Sequence, residues 1–79
     1  MEDGMIVRYI GIKTEYGITW YKDDADRAEV GDKILIPFQG YEIPAKVAVA
    51  ARCIYPHVVY PYHKTKSILE IVERTEKKK

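Results

Sequence analysis

The sequence has a single cysteine, Cys53, and no long apolar run. One thiol excludes an internal disulfide, so a chain of 79 residues must gain its stability in another way, through efficient packing. No apolar stretch approaches the roughly 20 residues that cross a bilayer, and no basic segment precedes an apolar one near Met1. We therefore expect a soluble, cytoplasmic protein in a reducing compartment, without a membrane partner.

Residue types that carry catalysis are also scarce. The chain has one serine, Ser67, no glycine-rich phosphate loop and no pair of acids in an apolar context. A nucleophile, a base and an orienting acid cannot be assembled from what remains. We predict that the protein is not an enzyme and needs no cofactor.

One cluster of metal-binding residue types is present. Cys53, His57 and His63 fall within eleven residues and could supply three tetrahedral ligands to zinc. Their spacing matches no strong zinc signature, and a structural site needs a fourth ligand. Cys53 also falls on the apolar face of a predicted strand, where we expect a buried small side chain that points away from both histidines. We predict no metal site.

The net charge of +1 conceals an uneven distribution. Residues 1–32 carry four basic and eight acidic side chains, whereas residues 33–79 carry nine basic and four acidic ones. This asymmetry permits an anion-facing surface on one side of the molecule. The three lysines at positions 77–79 are interpreted as a solvated tail.

What the chain has in plenty is tyrosine, with seven residues in addition to Trp20 and Phe38. Aromatic and β-branched residues favour strands over helices. Period-2 patterns and turn glycines predict strands over 5–13, 18–21, 33–38, 43–54 and 68–73. We predict an all-β fold, a single small β-barrel of about five strands. This one domain takes up residues 1–79, ordered over about 5–73 and frayed at 1–4 and 74–79.

The last segment permits two interpretations. Ser67 followed by Glu70 matches a helix capping box, which would give a short C-terminal helix. The apolar run that begins at Ile68 instead fits a strand buried on both faces, and such a strand could close a barrel and cover an edge. We favour the strand.

Residues 55–66 contain two prolines, three tyrosines and two histidines, and we predict an extended loop there. Aromatic rings interleaved with lysines suit single-stranded nucleic acid, because each stacked base contributes about 1–3 kcal/mol and lysines neutralise phosphates. The same residues suit a protein interface. A third interpretation is structural, with the tyrosines covering the open end of a barrel.

Two stretches, "VGDKILIPF" at 30–38 and "KSILEIV" at 66–72, lie in an order of strands that resembles a known domain. It is the small N-terminal DNA-binding domain of the primosomal replication-restart helicase. The resemblance covers roughly residues 5–73. It implies a compact β-barrel that holds the 3′ end of a nascent strand, without the helicase motor.

The resemblance also implies site residues. The family's aromatic-Asp-Tyr triplet corresponds to residues 19–21, where Tyr21 is retained, the aromatic is displaced to Trp20 and the acid is absent. Gly40 corresponds to the glycine after the family's Pro-Phe pair, and Lys66 to the lysine before the last strand.

The expected function is that of a non-enzymatic binding module for single-stranded nucleic acid. We assign the site to Trp20, Tyr21, Gly40, Tyr62, Lys64 and Lys66. The alternative is a protein–protein interaction module that uses the tyrosine-rich loop 55–63. In either case we expect a monomer or a weak homodimer, and we interpret residues 29–38 as scaffold.

Overall fold

The computed structural model describes residues 3–74, and over this range the chain forms six strands and one short 3₁₀ helix. The strands are β1 (Ile6–Thr14), β2 (Gly17–Lys22), β3 (Lys33–Phe38), β4 (Tyr41–Lys46), β5 (Val49–Ile54) and β6 (Glu70–Glu73), and the 3₁₀ helix is Tyr62–Lys64. The predicted all-β class is confirmed. Of the ends predicted to fray, residues 1–2 and 75–79 lie outside the described residues.

The strands form two antiparallel sheets of three strands each. The first sheet has the order β2-β1-β5 and the second sheet the order β4-β3-β6, and neither closes into a barrel. Two-residue turns close the β1–β2 and β3–β4 hairpins. In the second turn Gln39 and Gly40 both have positive φ, 50° and 84°, as a type I′ turn requires. Gly40 therefore holds the turn that follows the strand predicted over 33–38.

The single strand predicted over 43–54 is wrong, because the chain changes sheets there. β4 pairs with β3, whereas β5 pairs with β1. Between them the Val47 N–H donates to the Asp32 carbonyl at 2.9 Å, and the Ala48 N–H donates to the Gly11 carbonyl at 2.9 Å. A period-2 apolar pattern continues through this crossing and does not reveal that the hydrogen-bond partner changes.

The main core lies between the two sheets. Its buried members are Ile10, Ile12, Tyr21, Ala28, Ile34, Ile36 and Val47. Alternate residues of β1 and β3 point into this space, as the pleat of a strand requires. The polar loop 23–32 closes one side of the core through Ala28, which is fully buried.

β1 is also buried on its other face, which we call the outer face of the first sheet. Val7 and Tyr9 point there, and the Tyr9 side chain is 0% exposed. The Tyr9 hydroxyl donates to the Tyr60 carbonyl at 2.7 Å, because the loop 55–66 folds back over this end of the sheet. The loop therefore covers a sheet face rather than an open barrel end.

The predicted orientation of Cys53 is wrong. Cys53 pairs with Val7, so its side chain lies on the outer face, towards the loop, and is only half-buried. Within residues 3–74 no three His, Cys, Asp or Glu side chains lie together as possible metal ligands. Between residues 3 and 74, no helix is long and apolar enough to cross a membrane.

The segment before β6 confirms the strand interpretation over the helix. Ser67 makes a parallel bridge to Lys22, and its hydroxyl donates to Asp24 at 2.8 Å instead of capping a helix. The strand itself begins at Glu70, two residues later than predicted.

The loop 23–32 is ordered by one buried carboxylate. Asp23, 5% exposed, accepts from the backbone N–H groups of Ala25 at 3.2 Å, Arg27 at 2.6 Å and Ala28 at 2.6 Å. The Arg8 guanidinium lies 3.9 Å from the same carboxylate. Asp23 thus satisfies backbone donors that would otherwise lie near the core without partners.

We expect Asp23→Ala to lower the free energy of unfolding by about 2–4 kcal/mol, because it leaves several sheltered N–H donors without their acceptor and removes one of the two carboxylates beside Arg8. Urea denaturation followed by Trp20 fluorescence measures the change. Asp24→Ala, in the same loop but exposed, is the matched control and should cost less than about 1 kcal/mol. Equal losses in the two variants would contradict this role for Asp23.

Candidate functional site

An open cleft of ≈ 390 Å³ lies beside β2, between the end of β3 and the loop 60–66. It is lined by Ile18, Thr19, Trp20, Tyr21, Pro37, Phe38, Gln39, Tyr60, Lys64 and Lys66. Four of the six residues predicted for the site, Trp20, Tyr21, Lys64 and Lys66, are therefore brought together. They come from distant parts of the chain, and the folded-back loop places both lysines beside the second strand.

Tyr21 differs from the other three in its burial. Its side chain is 5% exposed and belongs to the main core, and its hydroxyl donates to the Pro37 carbonyl at 3.3 Å. A ring in this position has no free face on which a base could stack. Tyr21 instead fixes one wall of the cleft by joining β2 to β3.

The two remaining predicted residues lie outside the cleft. Gly40 occupies the β3–β4 turn next to Gln39, which does line the cleft. Tyr62 lies on the other side of the loop, where the Lys22 ammonium sits 3.8 Å from its ring centre and the Tyr55 ring contacts it edge-on at 6.3 Å. Tyr62 therefore packs the loop onto the sheet.

Two aromatic residues of the cleft were not assigned to the site from the sequence. Phe38 is 46% exposed and Tyr60 is 42% exposed, so both offer ring surface to a ligand. Phe38 follows Pro37 at the end of a stretch interpreted as scaffold, and Tyr60 belongs to the loop assigned to a protein interface. For Phe38 the sequence did contain a signal, because an aromatic residue stands just after the last buried position of β3 and is therefore free to face a ligand.

The charge around the cleft has one sign. None of its ten lining residues is acidic. Lys64 and Lys66 are exposed, and neither forms an ion pair with any residue between 3 and 74. The larger hollow of ≈ 530 Å³ between residues 23–27 and β6 is instead lined by carboxylates and arginines together. The cleft, in contrast, combines exposed rings with cations that have no carboxylate beside them among its lining residues.

The backbone of β2 adds hydrogen-bonding groups to the cleft. The Lys22 N–H donates to Lys66 at 2.9 Å, and the Lys22 carbonyl accepts from Ile68 at 2.9 Å, so both groups point away from β1. Because these directions alternate along an antiparallel strand, the N–H and C=O of Ile18 and Trp20 also point away from β1. Between residues 3 and 74 no other strand pairs with them.

No protein-family model matches this chain, and searches of the curated proteins and of the solved structures find no match. The fold and the site by themselves define a class, a small all-β protein of two three-stranded sheets with a basic, aromatic cleft at the edge of one sheet.

Burial changes the acidity of two tyrosines. Desolvation raises the pKa of Tyr21 above its ordinary value of 10.0, because the phenolate would lose its hydration in the core. Desolvation also raises the pKa of Tyr9, with a smaller opposing effect from the Thr65 hydroxyl. The folded protein therefore holds these two protons more tightly than the unfolded chain does.

The stability that these two groups contribute is fully present below the unfolded pKa of 10.0 and is lost as the pH rises through the folded values. We expect the free energy of unfolding to fall above about pH 10. Tyrosinate absorbance should also show two late-titrating rings, that is, tyrosines that lose their proton at a higher pH than the exposed ones. Tyr21→Phe should remove one late-titrating ring, whereas Tyr41→Phe, whose ring is 73% exposed, should leave both. A late fraction that survives in Tyr21→Phe at full amplitude would contradict the assignment.

Proposed function

We propose that this protein is a non-enzymatic module that binds single-stranded nucleic acid in the cleft beside β2. The observation that carries the proposal is the pairing of exposed aromatic rings with Lys64 and Lys66 on a surface free of carboxylates. Phosphate attraction supplies most of the affinity of sequence-independent binding, and stacking on aromatic rings holds the bases.

Each part of the cleft has a role in this proposal. Trp20, Phe38 and Tyr60 offer ring faces or edges to the bases, and the two lysines lie on the side where the phosphates pass. The outward N–H and C=O groups of Trp20 can pair with the hydrogen-bonding edge of a base only if that edge is free. In a duplex the Watson–Crick edges are already paired and only the groove edges stay free, so we expect the cleft to favour unpaired strands.

The same proposal includes a barrel-like arrangement of the two sheets and a cytoplasmic location of the protein. We regard the two sheets as halves of a small barrel, joined on one side by the crossing at Val47 and on the other by the bridge between Lys22 and Ser67. The resemblance to the N-terminal domain of the primosomal helicase is part of the same proposal. The single cysteine fits a cytoplasmic location.

The double variant Lys64→Ala/Lys66→Ala tests the role of the cleft. Fluorescence anisotropy with labelled single-stranded DNA and RNA should show weaker binding than in the unaltered protein. For the double variant, the slope of log affinity against log salt concentration should be shallower by about 1.4, since each phosphate contact to a single strand contributes about 0.7 to that slope. Lys33→Ala/Lys46→Ala removes the same charge from exposed positions on the second sheet, where Lys33 lies 3.7 Å from Glu73, and is the control for net charge.

Two outcomes of the same titration decide between versions of the proposal. Absence of binding at low salt and high micromolar protein would reject nucleic acid as the ligand. Equal losses in the two double variants would place binding outside the cleft. Oligonucleotides with free and blocked 3′ ends test the resemblance further, because a 3′-end-binding domain requires the free hydroxyl.

A protein partner on the loop 55–63 is the second candidate. Val59 and Tyr60 are adjacent and 48% and 42% exposed, which gives this loop a small apolar surface. Tyr55 and Tyr62 contact each other and are half-buried, so less of the loop is free for a partner than its composition indicated. Binding through this surface would depend weakly on salt, whereas phosphate binding weakens steeply.

A further inference from the structure

On the outer face of the first sheet, three side chains pack directly over Gly11, in the middle of the central strand. A Cβ at this position would lie 2.9 Å from Ile18 Cγ2, 3.0 Å from Trp20 Cζ3 and 3.1 Å from Val49 Cβ. Glycine within a strand costs stability, so it commonly marks a close approach of other groups. At Gly11 the missing side chain lets the three neighbours settle onto the strand and form a low apolar surface.

This apolar surface is not covered by the loop that covers Tyr9. Ile18 is 41% exposed and Val49 is 36% exposed, and Trp20 between them is only half-buried. Ile18 and Trp20 also line the cleft. The apolar surface around Gly11 is therefore a direct continuation of the cleft, around the edge of the sheet.

A cation lies at the far side of this surface. Lys13 is exposed and pairs with Ile18 across β1 and β2, so both side chains stand on the outer face. Lys13 follows Gly11 by two residues, which places it about 7 Å farther along β1. The outer face is made up of Val7, Tyr9, Gly11, Lys13, Ile18, Trp20, Lys22, Val49, Ala51 and Cys53. None of these residues is acidic.

We propose that a single strand bound in the cleft continues over Trp20 and across the Gly11 surface to Lys13, so that the protein occupies at least three nucleotides. This inference rests on the proposed function and adds the path and length of the bound strand. The occupant follows from charge: cations stand at both ends, at Lys64 and Lys66 and at Lys13. Between them lie the Trp20 ring, on which a base can stack, and the aliphatic side chains of Ile18 and Val49.

Oligothymidylates of two, three, four and six nucleotides test the path by anisotropy competition at low salt. Binding should tighten about 5- to 160-fold from two to three nucleotides, because one added base that stacks contributes about 1–3 kcal/mol. Lys13→Ala should weaken binding of the hexamer about 3- to 10-fold and reduce the salt slope by about 0.7. Lys46→Ala, an exposed lysine on the second sheet, should change binding less than twofold.

The outcomes separate this inference from the function on which it rests. If dinucleotide and hexamer bind equally, or if Lys13→Ala has no more effect than Lys46→Ala, the strand stays within the cleft and the path is wrong while the function stands. If no oligonucleotide binds, the function and the path are both rejected. Tightening with length together with a selective loss in Lys13→Ala supports the path.

Discussion

The crossing at Val47 and Ala48 is the constraint on which the rest of the structure depends. Within two residues the chain donates one backbone hydrogen bond to Asp32, just before β3, and one to Gly11 in β1. Val47 itself is 2% exposed and fills the space between the sheets. The two sheets are thereby stacked in one relative position, because a shift of either sheet would break one of these bonds and open the core.

The stacking leaves β1 buried on both faces and β2 at an edge. The second sheet covers one face of β1, and the loop 55–66, held by the bond from Tyr9 to Tyr60, covers part of the other. The loop then passes along β2 and pairs with Lys22, but it leaves the preceding residues of the strand uncovered. The cleft exists because this covering of the first sheet is incomplete, and the proposed ligand would occupy the remainder of the same surface.

Local features of the fold were predictable from the sequence, whereas the neighbours of each strand were not. The bounds of β3 follow from the alternation of apolar and polar residues, and the turn at Gly40 follows from the need for a positive φ. Both properties depend only on residues that are neighbours in the sequence. Trp20 and Tyr21 looked equivalent as site residues. Adjacent residues of a strand point to opposite faces, so one of them had to be buried, and the position of the second sheet decided that it was Tyr21. The displacement of Tyr62 from the cleft has a similar origin, since its packing on Lys22 depends on how the loop returns.

The sequence alone determined the all-β class, a polar loop over 23–32 with five of the twelve acidic residues, and the types of residue available for binding. These properties depend on backbone preferences and composition, which act within a few residues. Only the tertiary structure decided that Lys64 and Lys66 stand beside Trp20, that Phe38 joins them and that Ile18 and Val49 pack with Trp20 over Gly11. Those arrangements require residues distant in the chain to share one face or one edge. Their positions are set by hydrogen bonds and packing between the two sheets, which no local pattern records.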